Sequence, residues 1–267
     1  MLRTCLTVTL AAGLALPAFA QRPRPPRTNA EWCDQIRDGD RVAHCEVREL
    51  TIGAANPIEI DAGRNGGITV RGWDRGDALV RARIVGYGDT DADAQRVASS
   101  VRIDSAGGVV RADGPSTDDH QSWHVSFEIS VPRTAMLTLT AHNGGIVIED
   151  FRGTAKFHTQ NGGVNLREVG GDIRGETTNG GVNVEVSGDH WDGAGLDVTT
   201  RNGGVNIRLP EHYSAELEVG TTHGRLNVNV PLTVQGTIGR TLTTTLGAGG
   251  AKLRAVTTNG GVSIRAR

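Results

Sequence analysis

The sequence predicts an all-β protein: a single-stranded solenoid with rungs of 18–23 residues and one short helix. Three observations predict it. First, an Asn-Gly-Gly corner recurs at Asn65, Asn143, Asn161, Asn179, Asn202 and Asn259, with His223 in a variant copy, "TTHGRLNV". Asn-Gly pairs favour sharp chain reversals because both residues tolerate positive φ. Second, three apolar columns accompany the last six corners. Three residues after the corner stand Ile146, Val164, Val182, Val205, Leu226 and Val262; five after, Ile148, Leu166, Val184, Ile207, Val228 and Ile264; six before, Leu137, Ala155, Ile173, Leu196, Leu217 and Leu253. Apolar and polar residues alternating with period two mark strands with one buried face. Third, polar residues recur in columns too: Thr159, Thr177, Thr200, Thr221 and Thr257 two residues before the corner, and Asn165, Asn183, Asn206 and Asn227 four after it. Identical rungs stacked on one another would turn such columns into side-chain ladders. An antiparallel β-meander would use the same corners and is the alternative fold.

Taken from the N-terminus, residues 1–20 ("MLRTCLTVTLAAGLALPAFA") have an early Arg3, a short apolar run and small residues at Ala18 and Ala20, the pattern of a secretory signal. The run is too short to span a bilayer, and no transmembrane segment is expected in the mature chain. Residues 21–30 are a Pro/Arg-rich linker. Residues 31–56 form a cap segment carrying Cys33 and Cys45, an even pair in an exported protein and therefore expected to form a disulfide. The β domain spans 57–267, with an irregular first part (57–141) and regular rungs (142–267). The irregular part reads as strands near 78–85, 101–104, 108–112, 123–131 and 136–141. Its helical stretch is 91–101, where Ala94, Val97, Ala98 and Val101 share one face behind a Thr90 or Asp91 cap. The regular corners are spaced 18, 18, 23, 21 and 36 residues apart, and the last interval reads as two rungs with a degenerate one near "GTIGRTLTTTL".

Charge is nearly balanced, 28 basic against 30 acidic residues for a net −2, without the basic footprint of a nucleic-acid binder. The 37 glycines gather at the corners and follow no collagen period.

Exported β-helices include enzymes that work on polysaccharides with clustered carboxylates, which in stacked rungs would stand in columns. Only the sixth position after the corner orders them, as Glu149, Arg167, Glu185, Arg208, Asn229 and Arg265. The first four alternate in sign, the pattern of a cross-strand ion ladder. The nearest approach to a metal set is Asp118, Asp119, His120 and His124, which reads as a solvated loop entering a strand. The corners lack the Asp of calcium-binding repeats and the Gly-Lys-Ser/Thr of a phosphate loop. No catalytic, metal or cofactor site is expected.

The "TTNGGV" rungs, the segment "FEISVPRTAMLTLTAHNGGIVI" (127–148) and "GGITVRGWDRGDALVRARI" (66–84) resemble the DUF4097 family of bacterial envelope and exported proteins, over roughly residues 45–267. That family is labelled adhesin-like, and the resemblance implies a β-solenoid with no defined activity. The expectation is an exported, non-enzymatic scaffold or interaction protein, periplasmic or at the cell surface. Its partner would be an envelope protein or glycan, met by a face bearing Asn165, Asn183, Asn206, Asn227, Arg167 and Arg208. A carbohydrate-active β-helix enzyme is the alternative.

Overall fold

Strands with one apolar edge need a second layer to cover it, and here two sheets supply that layer for each other. The computed structural model describes residues 27–34, 36, 41–53, 57–118, 120–230 and 239–267. The segment expected to be a signal (1–20), most of the stretch expected to be a linker, and Asp119 lie outside the described residues.

In chain order the elements are helix α1 (Asn29–Cys33), then strands β1 (Val42–Ile52), β2 (Ile58–Asp61), β3 (Ile68–Trp73) and β4 (Ala78–Gly88), and helix α2 (Asp91–Ser100). Next come β5 (Arg102–Asp104), a single 3-10 turn (Ala106–Gly108), β6 (Val109–Asp113), β7 (Ser122–Pro132), β8 (Met136–Ala141) and β9 (Ile146–Glu149). The repeat region contains β10 (Thr154–Asn161), β11 (Val164–Arg167), β12 (Asp172–Asn179), β13 (Val182–Glu185), β14 (Gly195–Asn202) and β15 (Val205–Leu209). It closes with β16 (Ala215–His223), β17 (Leu226–Asn229), β18 (Thr241–Leu246), β19 (Lys252–Asn259) and β20 (Val262–Ala266). The protein is all-β with few helices.

The strands form two ten-stranded sheets. One, sheet A, has the order β1-β4-β7-β3-β9-β11-β13-β15-β20-β17; the other, sheet B, has β18-β16-β19-β14-β12-β10-β8-β2-β6-β5. A rung is one strand of sheet B, an Asn-Gly-Gly corner and one strand of sheet A. Rungs pair in parallel with like residues in register: Val164 stands beside Val182, Val182 beside Val205, and Asn161 beside Asn179. Parallel pairing of the repeats excludes the meander for this region. Among the described residues antiparallel pairs occur only toward the sheet ends, β1–β4, β4–β7, β5–β6 and β16–β18.

The inner faces of both sheets share one core. The apolar columns supply it, from Ile146 and Ile148 at 0% exposure to Val262 at 1% and Ile264 at 0%. Leu226 and Val228, on the edge strand β17, are only partly covered. Helix α2 is capped by the Thr90 hydroxyl, which accepts from the Asp93 amide, and it joins the core through Ala98, followed by Val101. Gly86 and Gly88 of β4 let it approach: a Cβ on Gly86 would stand 2.4 Å from the Ala94 carbonyl oxygen.

Rungs are not stacked in chain order. At the C-terminal end β19/β20 lies between β14/β15 and β16/β17, although it comes last in the sequence. At the N-terminal end β2/β3 likewise lies between β6/β7 and β8/β9. The expected degenerate rung in the 36-residue interval is therefore corrected. Residues 241–246 form β18, which runs antiparallel to β16 at the sheet margin; residues 231–238 are not described. A second short helix, α1, also occurs where linker and cap segment meet. Thr28 and Glu31 cap it reciprocally.

The two kinds of corner differ. Where sheet A returns to sheet B, Phe151, Val169, Trp191 and Tyr213 are buried and close the core. The non-glycine residues with left-handed backbone sit here, Asp150 at φ 55° and Glu168 at φ 53°. The longer 23-residue rung is accommodated at this corner, between β13 and β14, where Trp191 donates its Nε1–H to the Gly171 carbonyl at 2.9 Å.

Candidate binding face

At the Asn-Gly-Gly corners the expected reason for glycine is corrected. Gly66, Gly144, Gly162, Gly180 and Gly203 do not have left-handed φ; Gly260, at the last corner, does have a positive φ, 157°. They are glycine because the rungs touch there: a Cβ on Gly180 would lie 2.0 Å from the Gly162 carbonyl oxygen, and one on Gly162 2.1 Å from that of Gly144. The threonine column tightens the same contact. The buried Thr159, Thr177, Thr200, Thr257 and Thr221 donate their hydroxyls to the carbonyls of Gly144, Gly162, Gly180, Gly203 and Gly260, at 2.7–2.8 Å.

Outside this clamp the corner asparagines form a ladder. The Nδ2 of Asn143, Asn161, Asn179, Asn202 and Asn259 donates in turn to the Oδ1 of Asn65, Asn143, Asn161, Asn179 and Asn202, over 2.7–2.9 Å. His223, in register with Asn259, stands where the ladder ends. Terminal repeats commonly depart from the consensus because one side lacks a like neighbour.

A second, shorter ladder runs along the outer face of sheet A. Asn183 donates to Asn165 at 2.9 Å, and Asn206 to Asn183 at 3.0 Å. The expected fourth member, Asn227, is not contiguous with them, because the inserted β20 places Ser263 between Asn206 and Asn227. Beside this ladder the charged column runs, in spatial order, Arg71, Glu149, Arg167, Glu185, Arg208, Arg265 and Asn229. Glu149 is held by Arg71 and Arg167, each at 3.1 Å. The expected alternation stops there as a set of contacts: Glu185 pairs with Arg267 at 2.9 Å, and Arg267 also reaches Glu168 at 3.2 Å. Arg208 has no ion-pair partner among the described residues. Ser263 and Arg265 are not among the residues expected on this face; only the sheet order reveals that they adjoin Asn206 and Arg208.

The two columns flank a groove of about 360 Å³ lined by Asn165, Asn183, Asn206, Ser263, Arg167, Glu185, Arg208 and Arg265. Leu166, Val184 and Ile207 also border it, but their side chains are buried in the core. The accessible surface is therefore mainly polar.

Other charged groups serve the fold. Glu128, 2% exposed, lies between Arg71 and Arg81. Burial works against the charge on Arg71, but Glu128 and then Glu149 outweigh it and raise its pKa. Trp32 of α1 packs beneath the guanidiniums of Arg27, Arg81 and Arg83. Cys33 and Cys45 are joined by a disulfide, Cα–Cα 5.8 Å, which ties α1 to β1. In the His loop, Asp118 accepts from the His120 and Gln121 amides, His120 pairs with Asp89, and the His124 ring stands 5.6 Å from that of Tyr87. Among the described residues no three His, Cys, Asp or Glu side chains could hold a metal ion. No helix among them is long and apolar enough to cross a membrane.

A family model, Toastrack DUF4097, matches residues 124–265. The chain belongs to this family. The matched stretch begins at β7 and so excludes the "GGITVRGWDRGDALVRARI" segment, although β3 is an inner strand of the same sheet. Solved structures similar to this Toastrack chain include a "putative cell adhesion protein" from Clostridium sporogenes ATCC 15579, at 10% identity and TM-score 0.44, covering 84% of this chain and 100% of that one. A "putative adhesin" from Bacteroides fragilis NCTC 9343 matches at 9% identity and TM-score 0.35, covering 83% and 97%. A "putative lipid binding protein" from Parabacteroides distasonis ATCC 8503 matches at 10% and 0.31, covering 82% and 96%. No curated protein matches the chain.

Proposed function

We propose that this Toastrack protein is an exported, non-enzymatic scaffold of the bacterial envelope that binds a partner through the outer face of sheet A. The observation that carries the reading is the groove between the Asn and Arg columns: side-chain donors repeat there from rung to rung on a rigid, continuously hydrogen-bonded sheet. Contacts at successive rungs add up for an elongated ligand, so each can be weak. The groove is poorly furnished for hydrolysis or elimination, which need an acid and a base. Glu185 is the single carboxylate among its lining residues, and it is engaged by Arg267.

The experiment is capture from envelope extract by the immobilised mature protein, beside a variant with Arg167→Glu and Arg208→Glu, with a polysaccharide panel monitored for product release. The reading expects capture per folded molecule that the double reversal weakens, with the folded fraction measured separately, and no turnover. Sustained product release abolished by a single carboxylate substitution would establish the enzyme instead.

A further inference from the structure

We infer that Arg208 and Arg265 form a two-guanidinium clamp for the carboxylate of an acidic polysaccharide; this rests on the binding-face reading and names its ligand class. The clamp is created by the insertion of β20 beside β15, which puts Arg265 in direct register with Arg208 although 57 residues of chain separate the equivalent corners Asn202 and Asn259. Adjacent strands lie about 4.8 Å apart, so two outward cations are held at a spacing where like charges oppose pairing. The neighbouring arginines are answered by carboxylates: Arg71 and Arg167 by Glu149, and Arg267 by Glu168 and Glu185. Arg208 and Arg265 are not so answered among the described residues; Arg265 directs Nε to the Ser263 hydroxyl at 3.1 Å, and both side chains are exposed. An anion seated between them would remove the repulsion and take charge-assisted, bidentate hydrogen bonds.

The floor of the groove indicates what carries that anion. An Asn amide has two N–H donors, and the ladder from Asn206 to Asn183 to Asn165 consumes one on each of Asn206 and Asn183. Donors therefore remain for a hydroxyl-rich chain lying across several rungs. Among the described residues no aromatic or other exposed apolar side chain lines the groove. Protein partners commonly anchor on such residues, so the lining favours a glycan over an acidic protein.

The test is titration calorimetry of the mature protein at low salt with polygalacturonate, its fully methyl-esterified form, and dextran. The clamp predicts binding of polygalacturonate alone, weakened by added salt and at least tenfold by Arg208→Gln with Arg265→Gln. Lys156→Gln, an exposed cation on the outer face of sheet B, should leave it unchanged. Arg265→Gln alone should lose part of the affinity and serves if the double variant does not fold. Equal binding of the neutral polymers, absence of binding, or wild-type affinity in a folded double variant would overturn the clamp. If envelope capture through this face persists without polygalacturonate binding, the clamp falls and the binding-face reading stands; cleavage of the polymer would bring down that reading too.

Discussion

Gly180→Ala tests the reason for the repeating corner. The new Cβ would sit 2.0 Å from the Gly162 carbonyl oxygen, about 1.5 Å inside ordinary van der Waals separation of ~3.5 Å. That oxygen already accepts the Thr177 hydroxyl at 2.8 Å, and the Gly180 amide donates to Asn202 at 2.9 Å. Relief therefore has to come from backbone on both sides. Overpacking costs about 1–3 kcal/mol, and a lost hydrogen bond at the buried clamp adds about 1–1.5 kcal/mol. A loss of about 3 kcal/mol, the middle of their combined range, lowers Tm by roughly 6–12 °C in a domain of this size. The control is Gly163→Ala, one position further along a corner, where a Cβ would meet the Gly181 carbonyl oxygen at 3.5 Å. There the smaller entropy of the unfolded chain should leave Tm within about 2 °C of wild type. Scanning calorimetry of the two purified variants decides. Equal, small shifts would mean that the corner does not need bare backbone between rungs, and the close-stacking argument would be wrong.

Three further outcomes are expected. Thr177→Val leaves the Gly162 carbonyl without its hydroxyl donor and should cost about 1–2 kcal/mol by urea denaturation, whereas Asn183→Ser on the exposed ladder should cost less than about 1 kcal/mol. Reducing the Cys33–Cys45 disulfide frees a loop with a sequence separation of 12 residues and should lower stability by about 3 kcal/mol, read as a shift of the urea midpoint with and without reductant. Burial raises the pKa of Asp150 despite the opposing charge of Arg133, so its ionised form destabilises the fold. That cost is complete above the folded pKa and vanishes as pH falls below the unfolded value near 3.8. Asp150→Asn, which also suits the left-handed backbone at φ 55°, should raise Tm at pH 7, with the gap narrowing on acidification.

Much of the fold was legible because stacking translates periodicity directly into contacts. The alternation around Val164, Val182 and Val205 gave the strands and their buried face, and Ala94, Val97 and Ala98 gave α2. Rung order was hidden because parallel stacking is degenerate: any Thr-x-Asn-Gly-Gly copy can lie on any other, and nothing local says that β19/β20 belongs beside β14/β15. The atypical His223 corner and the half-covered Leu226 and Val228 are the signs of an end rung. The candidate face suffered from the same degeneracy. Asn165, Asn183, Asn206, Arg167 and Arg208 do line one groove, while Asn227 lies across Ser263 from the ladder and Arg265 takes the place next to Arg208. Glycine at the corner misled for another reason: Asn-Gly is a turn signal through its dihedrals, but here the glycine answers a distance between neighbouring backbones.

The inserted C-terminal rung also sets how the molecule bears tension. Force applied beyond β20 reaches a strand hydrogen-bonded on both sides, to β15 and to β17, and β19 is likewise gripped by β14 and β16. Extracting it means shearing four ladders together, whereas a final rung placed at the margin would peel away two. The half-covered strand β17, at the margin of sheet A, is thus kept off the load path. Tension at that end therefore falls first on strands held on both sides rather than on the margin of the stack.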